Sequence, residues 1–123
     1  MAKVLIVDDE KSLAEMLKDV IELEGSHQVK IVLDGEESIK EAGATHYDLI
    51  LMDIRLPGIN GVEAFLKIKE TDPKVRVIMM TCFSVEGLIE EALKEGAYAC
   101  LHKPFDSERI VSLIEEALDR SNS

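Results

Sequence analysis

Short apolar runs alternate with helical periods along this chain. Lys3 to Val7 is a continuous apolar run that ends in acids. Residues 47–52 form a second and end at Asp53; residues 75–80 form a third and end at Thr81. Residues 97–101 form a fourth, ending near Lys103, and Val29 to Leu33 a weaker fifth. Runs this short and this apolar suit strands buried on both faces of a parallel sheet. Between them, Leu13, Met16, Leu17, Val20 and Ile21 are spaced i, i+3, i+4, i+7, i+8. Val85, Leu88, Ile89, Ala92 and Leu93 repeat that spacing, as do Ile110, Leu113, Ile114, Ala117 and Leu118. Such spacing marks one face of a helix. Val62, Phe65 and Leu66 mark a shorter helix, and Ile39 with Ala42 the weakest.

Start and stop signals agree. Asp34-x-x-Glu37 and Asn60-x-x-Glu63 resemble capping boxes, and Asp106 can cap the last helix. Gly25 and Gly96 stand where a left-handed residue would end a helix. The chain therefore reads as (βα)5, a doubly wound parallel five-stranded sheet with right-handed crossovers and helices on both faces. The expected strand order is 2-1-3-4-5. Its winding reverses between strands 1 and 3, where ligands bind at the carboxyl ends.

That edge collects Asp8 and Asp9 from strand 1, Asp53 from strand 3, Thr81 from strand 4 and Lys103 from just past strand 5. Two like charges about 4 Å apart cost roughly 4 kcal/mol at an effective dielectric near 20. Three crowded carboxylates therefore repel, or one takes up a proton. A divalent cation relieves this, and an all-oxygen donor set suits Mg2+, or another hard divalent ion such as Mn2+, better than zinc. A phosphoryl group would complete the site, with Lys103 and Thr81 as partners. An aspartate carboxylate can itself be the nucleophile for phosphoryl transfer.

The chain's 123 residues fit one domain large enough to fold without a disulfide or metal staple. Residues 1–119 are expected to form it, with 120–123 as a polar tail. Apolar residues make up 46%, which excludes a disordered chain. The net charge of −11 argues against binding nucleic acid directly, because phosphate backbones repel it. No apolar run reaches the roughly 20 residues of a membrane helix. Asp8 and Asp9 interrupt the place where a signal peptide would continue, so a cytoplasmic location is expected. Cys82 and Cys100 match no zinc or CxxC spacing. They are expected to pack as small hydrophobes, although a redox link between adjacent strands is conceivable. The five methionines are read as gap-fillers. His27, His46 and His102 are read as loop or partly buried residues without ligand spacing.

The residues Val4 to Glu10, Leu49 to Gly58, Val77 to Thr81 and Lys103-Pro104-Phe105 resemble the receiver domain of two-component response regulators, from residue 3 to about 118. The resemblance implies a flavodoxin-like fold and a phosphoacceptor, Asp53, served by a phosphohistidine on a sensor histidine kinase or histidine phosphotransfer protein. It implies Mg2+ held by Asp8, Asp9, Asp53 and the backbone carbonyl of Arg55. Lys103 would pair with the phosphoryl oxygens. Thr81 would hydrogen-bond the group and carry the signal inward. Pro57 and Gly58 would shape the adjoining loop. Arg55 and Phe83 lie where the family tunes the lifetime of the phosphoaspartate. The output would pass through the strand 4–helix 4 loop and the helix 4–strand 5–helix 5 face, with Val85, Glu86 and Glu90 as candidates, to an effector protein or output domain.

Two departures stand out. Cys82 follows Thr81 where the family often has Ala, and Cys100 replaces the usual aromatic switch residue three positions before Lys103. The chain's length and Lys103-Pro104-Phe105-Asp106 resemble the single-domain sporulation phosphorelay regulators, which suggests a stand-alone regulator. A receiver fragment of a larger DNA-binding or ATPase-type regulator is the alternative. An aspartate-nucleophile phosphatase of the haloacid dehalogenase type needs an acid two residues after the nucleophile, where this chain has Arg55. Self-catalysed phosphorylation and autodephosphorylation are thus the most activity expected. A receiver-like module that binds partners without phosphorylation usually loses an acid, the Thr or the Lys, and all are present here. A flavin carrier would need a phosphate loop after strand 1, where Asp8-Asp9-Glu10 would repel the cofactor.

Overall fold

The computed structural model describes residues 2–25, 27–81, 86–104 and 106–120. Its elements are β1 (Lys3–Val7), α1 (Lys11–Gly25), β2 (Gln28–Val32), α2 (Gly35–Ala44), β3 (Leu49–Asp53), α3 (Gly61–Thr71), β4 (Val77–Thr81), α4 (Glu86–Lys94), β5 (Ala99–His102) and α5 (Ser107–Arg120). The strands form one parallel sheet in the order β2-β1-β3-β4-β5, as the alternation predicts. Strands β3 and β4 are buried throughout. Both faces of the sheet are covered, which is why their sequences are apolar without alternation.

Alternate side chains of those strands feed two separate cores. Leu5, Val7, Ile50, Met52, Val77 and Met79 pack under Val62, Phe65 and Ile68 of α3 and Ala92 of α4. Val4, Ile6, Leu49, Leu51, Ile78 and Met80 pack under Leu17 and Ile21 of α1 and Ile110, Ile114 and Ala117 of α5. Ile39 and Ala42 of α2 lean on the first core. The stripe on α1 is narrower than its spacing predicts. Ala14, Leu17 and Ile21 are its buried positions, and Met16 is 51% exposed rather than filling a gap. Leu93 is likewise exposed on α4, while Val85 lies outside the described residues.

The helix starts follow the caps. Asp34 Oδ1 accepts the Glu37 N–H at 2.8 Å, and Asp106 Oδ1 accepts that of Arg109 at 2.8 Å. Asn60 and Glu63 complete a reciprocal capping box at α3, at 2.9 and 3.1 Å. Asn60→Ala should lower stability by about 1 kcal/mol in urea unfolding, and Asn60→Asp should restore most of it. Gly96 ends α4 with φ +107°, and the Ala97 N–H reaches back to the Ala92 carbonyl at 2.9 Å.

Gly25 does not play that part. It is the last residue of α1, without a positive φ. Its lack of a side chain serves packing instead, because a Cβ there would lie 2.6 Å from His27 Cδ2. The His27 ring accepts the Ala2 N–H on Nδ1 at 3.0 Å and meets Glu115 Oε1 through Nε2 at 2.8 Å. It ties the start of β1 and the approach to β2 to α5. His46 is exposed, and His102, also exposed, ends β5. No helix among the described residues is long and apolar enough to cross a membrane.

Candidate functional site

Parallel strands deliver their carboxyl ends to one edge, and the site is assembled there. Asp8 directly follows β1, Asp53 ends β3, Thr81 ends β4, and Lys103 directly follows β5. The ladder continues just past the strands. The Asp8 N–H donates to the Val32 carbonyl at 3.2 Å, that of Ile54 to Met80 at 2.8 Å, and that of Lys103 to Thr81 at 2.7 Å. Backbone pairing thus holds each functional residue in register with its neighbour.

The Lys103 ammonium lies between the two buried acids. Its Nζ donates to Asp8 Oδ2 at 2.8 Å and to Asp53 Oδ2 at 3.0 Å. The other oxygens are held by main chain: Asp8 Oδ1 accepts the Glu10 N–H at 2.9 Å, and Asp53 Oδ1 that of Arg55 at 3.2 Å. Both carboxylates are fixed in direction. Asp9 is exposed, yet offers an oxygen within 4.8 Å of ligand oxygens from Asp8 and Asp53. The Lys103–Pro104 peptide beside them is cis.

The electrostatics follow from burial. Burial pushes the Asp53 carboxyl up, the hydrogen bond and charge of Lys103 pull it down, the Asp8 charge pushes it up and the Arg55 N–H pulls it down; it settles at about 6. Burial works to lower the Lys103 ammonium, but hydrogen bonds and charge from Asp8 and Asp53 outweigh it and hold it above its ordinary value. One ammonium therefore faces the carboxyl groups of Asp8, Asp9 and Asp53, with that of Glu10 at the rim, so acidic groups outnumber the basic one. An all-oxygen donor set with that charge fits a hard divalent cation such as Mg2+.

The other expected residues are placed as follows. Thr81 is buried at the end of β4, paired in register with His102. Arg55 directs its N–H to Asp53 and has an exposed side chain. Pro57 is exposed, and Gly58 turns the loop with φ +77°. Cys100 lies opposite Met79, half-buried against the α3–α4 core, and burial raises its thiol pKa. Cys82 and Phe83 lie outside the described residues, and the strand-to-strand thiol link with them.

Two residues to which sequence reasoning gave no part in the site border it. Glu10 Oε1 stands 3.7 Å from Lys103 Nζ. Its place directly after the acid pair was the available signal. Gly61, the first residue of α3, is buried against the main chain of the acceptor strand, and a Cβ there would fall 2.1 Å from the Asp53 carbonyl oxygen. Its only sequence signal was a glycine just after a capping Asn.

Comparison with known proteins bears on what this edge is for. The family model for the response regulator receiver domain matches residues 4–115. The chain is 32% identical over 117 residues to the chemotaxis protein CheY of Listeria monocytogenes, covering 95% of this chain and 98% of that one. It is 32% identical over 116 residues to the sporulation initiation phosphotransferase F of Bacillus subtilis, covering 94% and 93% respectively. The CheY-like receiver structure from Methanospirillum hungatei superposes with a TM-score of 0.95 at 29% identity, over 99% of this chain and 97% of that one. Larger regulators match as well: Bacillus subtilis ComA is 32% identical over 122 residues, 57% of its own length. A match that spans the sheet and its acidic edge from first strand to last helix means that the chain belongs to the response regulator receiver domain family, the phosphoacceptor of two-component and phosphorelay signalling.

Proposed function

We propose that Asp53 is the residue that accepts the phosphoryl group, from a phosphohistidine on a sensor histidine kinase or histidine phosphotransfer protein. One observation carries the assignment. Asp53 ends β3 with one oxygen on Lys103 Nζ and the other on the Arg55 N–H, beside the Asp8 and Asp9 oxygens. Near pH 7 its carboxyl, at about 6, is largely ionised and nucleophilic. A carboxylate oxygen bonds to phosphorus as the P–N bond of the donor breaks, and the electron pair returns to the imidazole nitrogen.

Receiver domains bind Mg2+ in an acidic pocket, and the Asp cluster fits one. In this chain Asp8, Asp9, Asp53 and the Arg55 carbonyl would hold it, and when bound it supplies charge against the equatorial phosphoryl oxygens. Lys103 neutralises a second share of that charge, and the Thr81 hydroxyl donates to the phosphoryl group. Arg55 and Phe83 occupy the sequence positions at which the family tunes the lifetime of the phosphoaspartate, and they are assigned that part here. The response passes through the β4–α4 loop and the α4–β5–α5 face, where Glu86 and Glu90 are exposed, to an effector. With Cys100 on β5, this readout proceeds without an aromatic ring at that position.

The test is intact-protein mass after incubation with acetyl phosphate, with and without Mg2+. One added phosphoryl group is expected, only with Mg2+, and none on Asp53→Asn. A folded, Mg2+-binding protein that takes up nothing would overturn the assignment and favour a module that binds partners without phosphorylation.

A further inference from the structure

Gly61 lies eight residues beyond Asp53 in sequence and touches it in space. A Cβ at Gly61 would lie 2.1 Å from the Asp53 carbonyl oxygen, 2.9 Å from its carbon and 3.0 Å from Ile54 Cα. All three are main-chain atoms, so no rotamer change makes room. The same peptide unit is anchored on its other side, where the Ile54 N–H donates to the Met80 carbonyl at 2.8 Å. The Ile54 carbonyl then accepts the Gly61 N–H at 2.8 Å. The first turn of α3 thus bears directly on the backbone that carries the acceptor, and the Asn60–Glu63 capping box holds that turn in place.

We infer that Gly61 and its capping residue Asn60 are positioning residues for phosphoryl transfer: the start of α3 seats the Asp53–Ile54 peptide against β4 and so aims the Asp53 carboxylate. The inference rests on Asp53 being the acceptor. A side chain at position 61 displaces that peptide by something on the order of 1 Å. Misplacement on that scale costs reaction rate out of proportion to stability, on the order of 100-fold.

The experiment follows the rate of phosphoryl uptake from acetyl phosphate by intact mass at saturating Mg2+, beside the thermal midpoint of each protein. Gly61→Ala is expected to lose about 100-fold in rate. Asn60→Ala, which leaves the glycine but loosens the turn, is expected to lose roughly tenfold, and Asn60→Asp to recover it. Ile21→Val, a core truncation in α1 on the other face of the sheet, should lower the midpoint like Asn60→Ala yet keep the parent rate. If Gly61→Ala does not fold, the Asn60 and Ile21 variants decide. Parent rates in Asn60→Ala, or equal slowing in Ile21→Val, overturn the inference. A parent protein that takes up no phosphoryl group refutes the Asp53 assignment itself, a separate result.

Discussion

Lys103→Ala should lower the stability of the metal-free protein at pH 7 by about 3 kcal/mol, because it leaves two buried carboxylates facing each other. Asp8 is fully buried and Asp53 nearly so, and Lys103 Nζ lies within 3.0 Å of both. The defect has a signature that a mere loss of packing lacks. It should shrink toward pH 5, where one carboxyl takes up a proton, and shrink again when Mg2+ is added. Urea unfolding followed by circular dichroism, in EDTA and in Mg2+, reads both. Lys103→Arg should restore little, since a planar fork cannot replace one ammonium on two convergent oxygens. A loss of the same size at pH 5 and pH 7, untouched by Mg2+, would refute this account.

Asp53→Asn should do the reverse and stabilise the metal-free protein at pH 7.5. The Asp53 carboxyl is raised from 3.8 to about 6 by burial. Between those values the folded state keeps a proton that the unfolded chain has shed. Stability contributed by this group therefore falls as pH rises through that window and stays lower above it. The expected gain for Asp53→Asn is roughly 1–3 kcal/mol at pH 7.5 and near zero at pH 4. With 25 acidic residues in the chain, total stability responds to many groups, so the difference between the two proteins is the quantity to follow. Mg2+ should stabilise the parent by about 2.7 kcal/mol at a hundred times its dissociation constant, and the variant by less. The gap then narrows or inverts. Coincident melting curves in EDTA at both pH values would contradict the buried-charge account.

These effects were foreseeable in part because the strands announce themselves. β3 and β4 are buried on both faces, so their sequences run apolar until the chain reaches the edge, and the first polar residues there are Asp53 and Thr81. Winding order then gathers those ends, which made Asp8, Asp9 and Lys103 legible as well. Strand beginnings were less legible. Residues 47 and 48 precede the pairing of Leu49 with β1, yet Tyr47 still packs on the core from the loop. Met16 has the right helical spacing but sits on the rim of a stripe that the sheet covers only at Ala14, Leu17 and Ile21. Gly25 looked like a helix stop, since a residue with no side chain reads the same whether the backbone needs a rare angle or a neighbour needs room. Gly61 was hidden for the same reason. Its requirement comes from the carbonyl of Asp53, and no local pattern records a contact between two segments of main chain.

The sheet also separates the interior into two cores, one under α2, α3 and α4 and one under α1 and α5. The helices of one layer pack on side chains that point away from the other, so the energetic effects of changes in helices on opposite sides should add. The phosphoacceptor edge lies where the two layers meet and depends on strand ends common to both. A lineage of such proteins can therefore remodel the α1–α5 layer to suit a new partner while α3, in the opposite layer, keeps the chemistry in register. The fold is evolvable by halves.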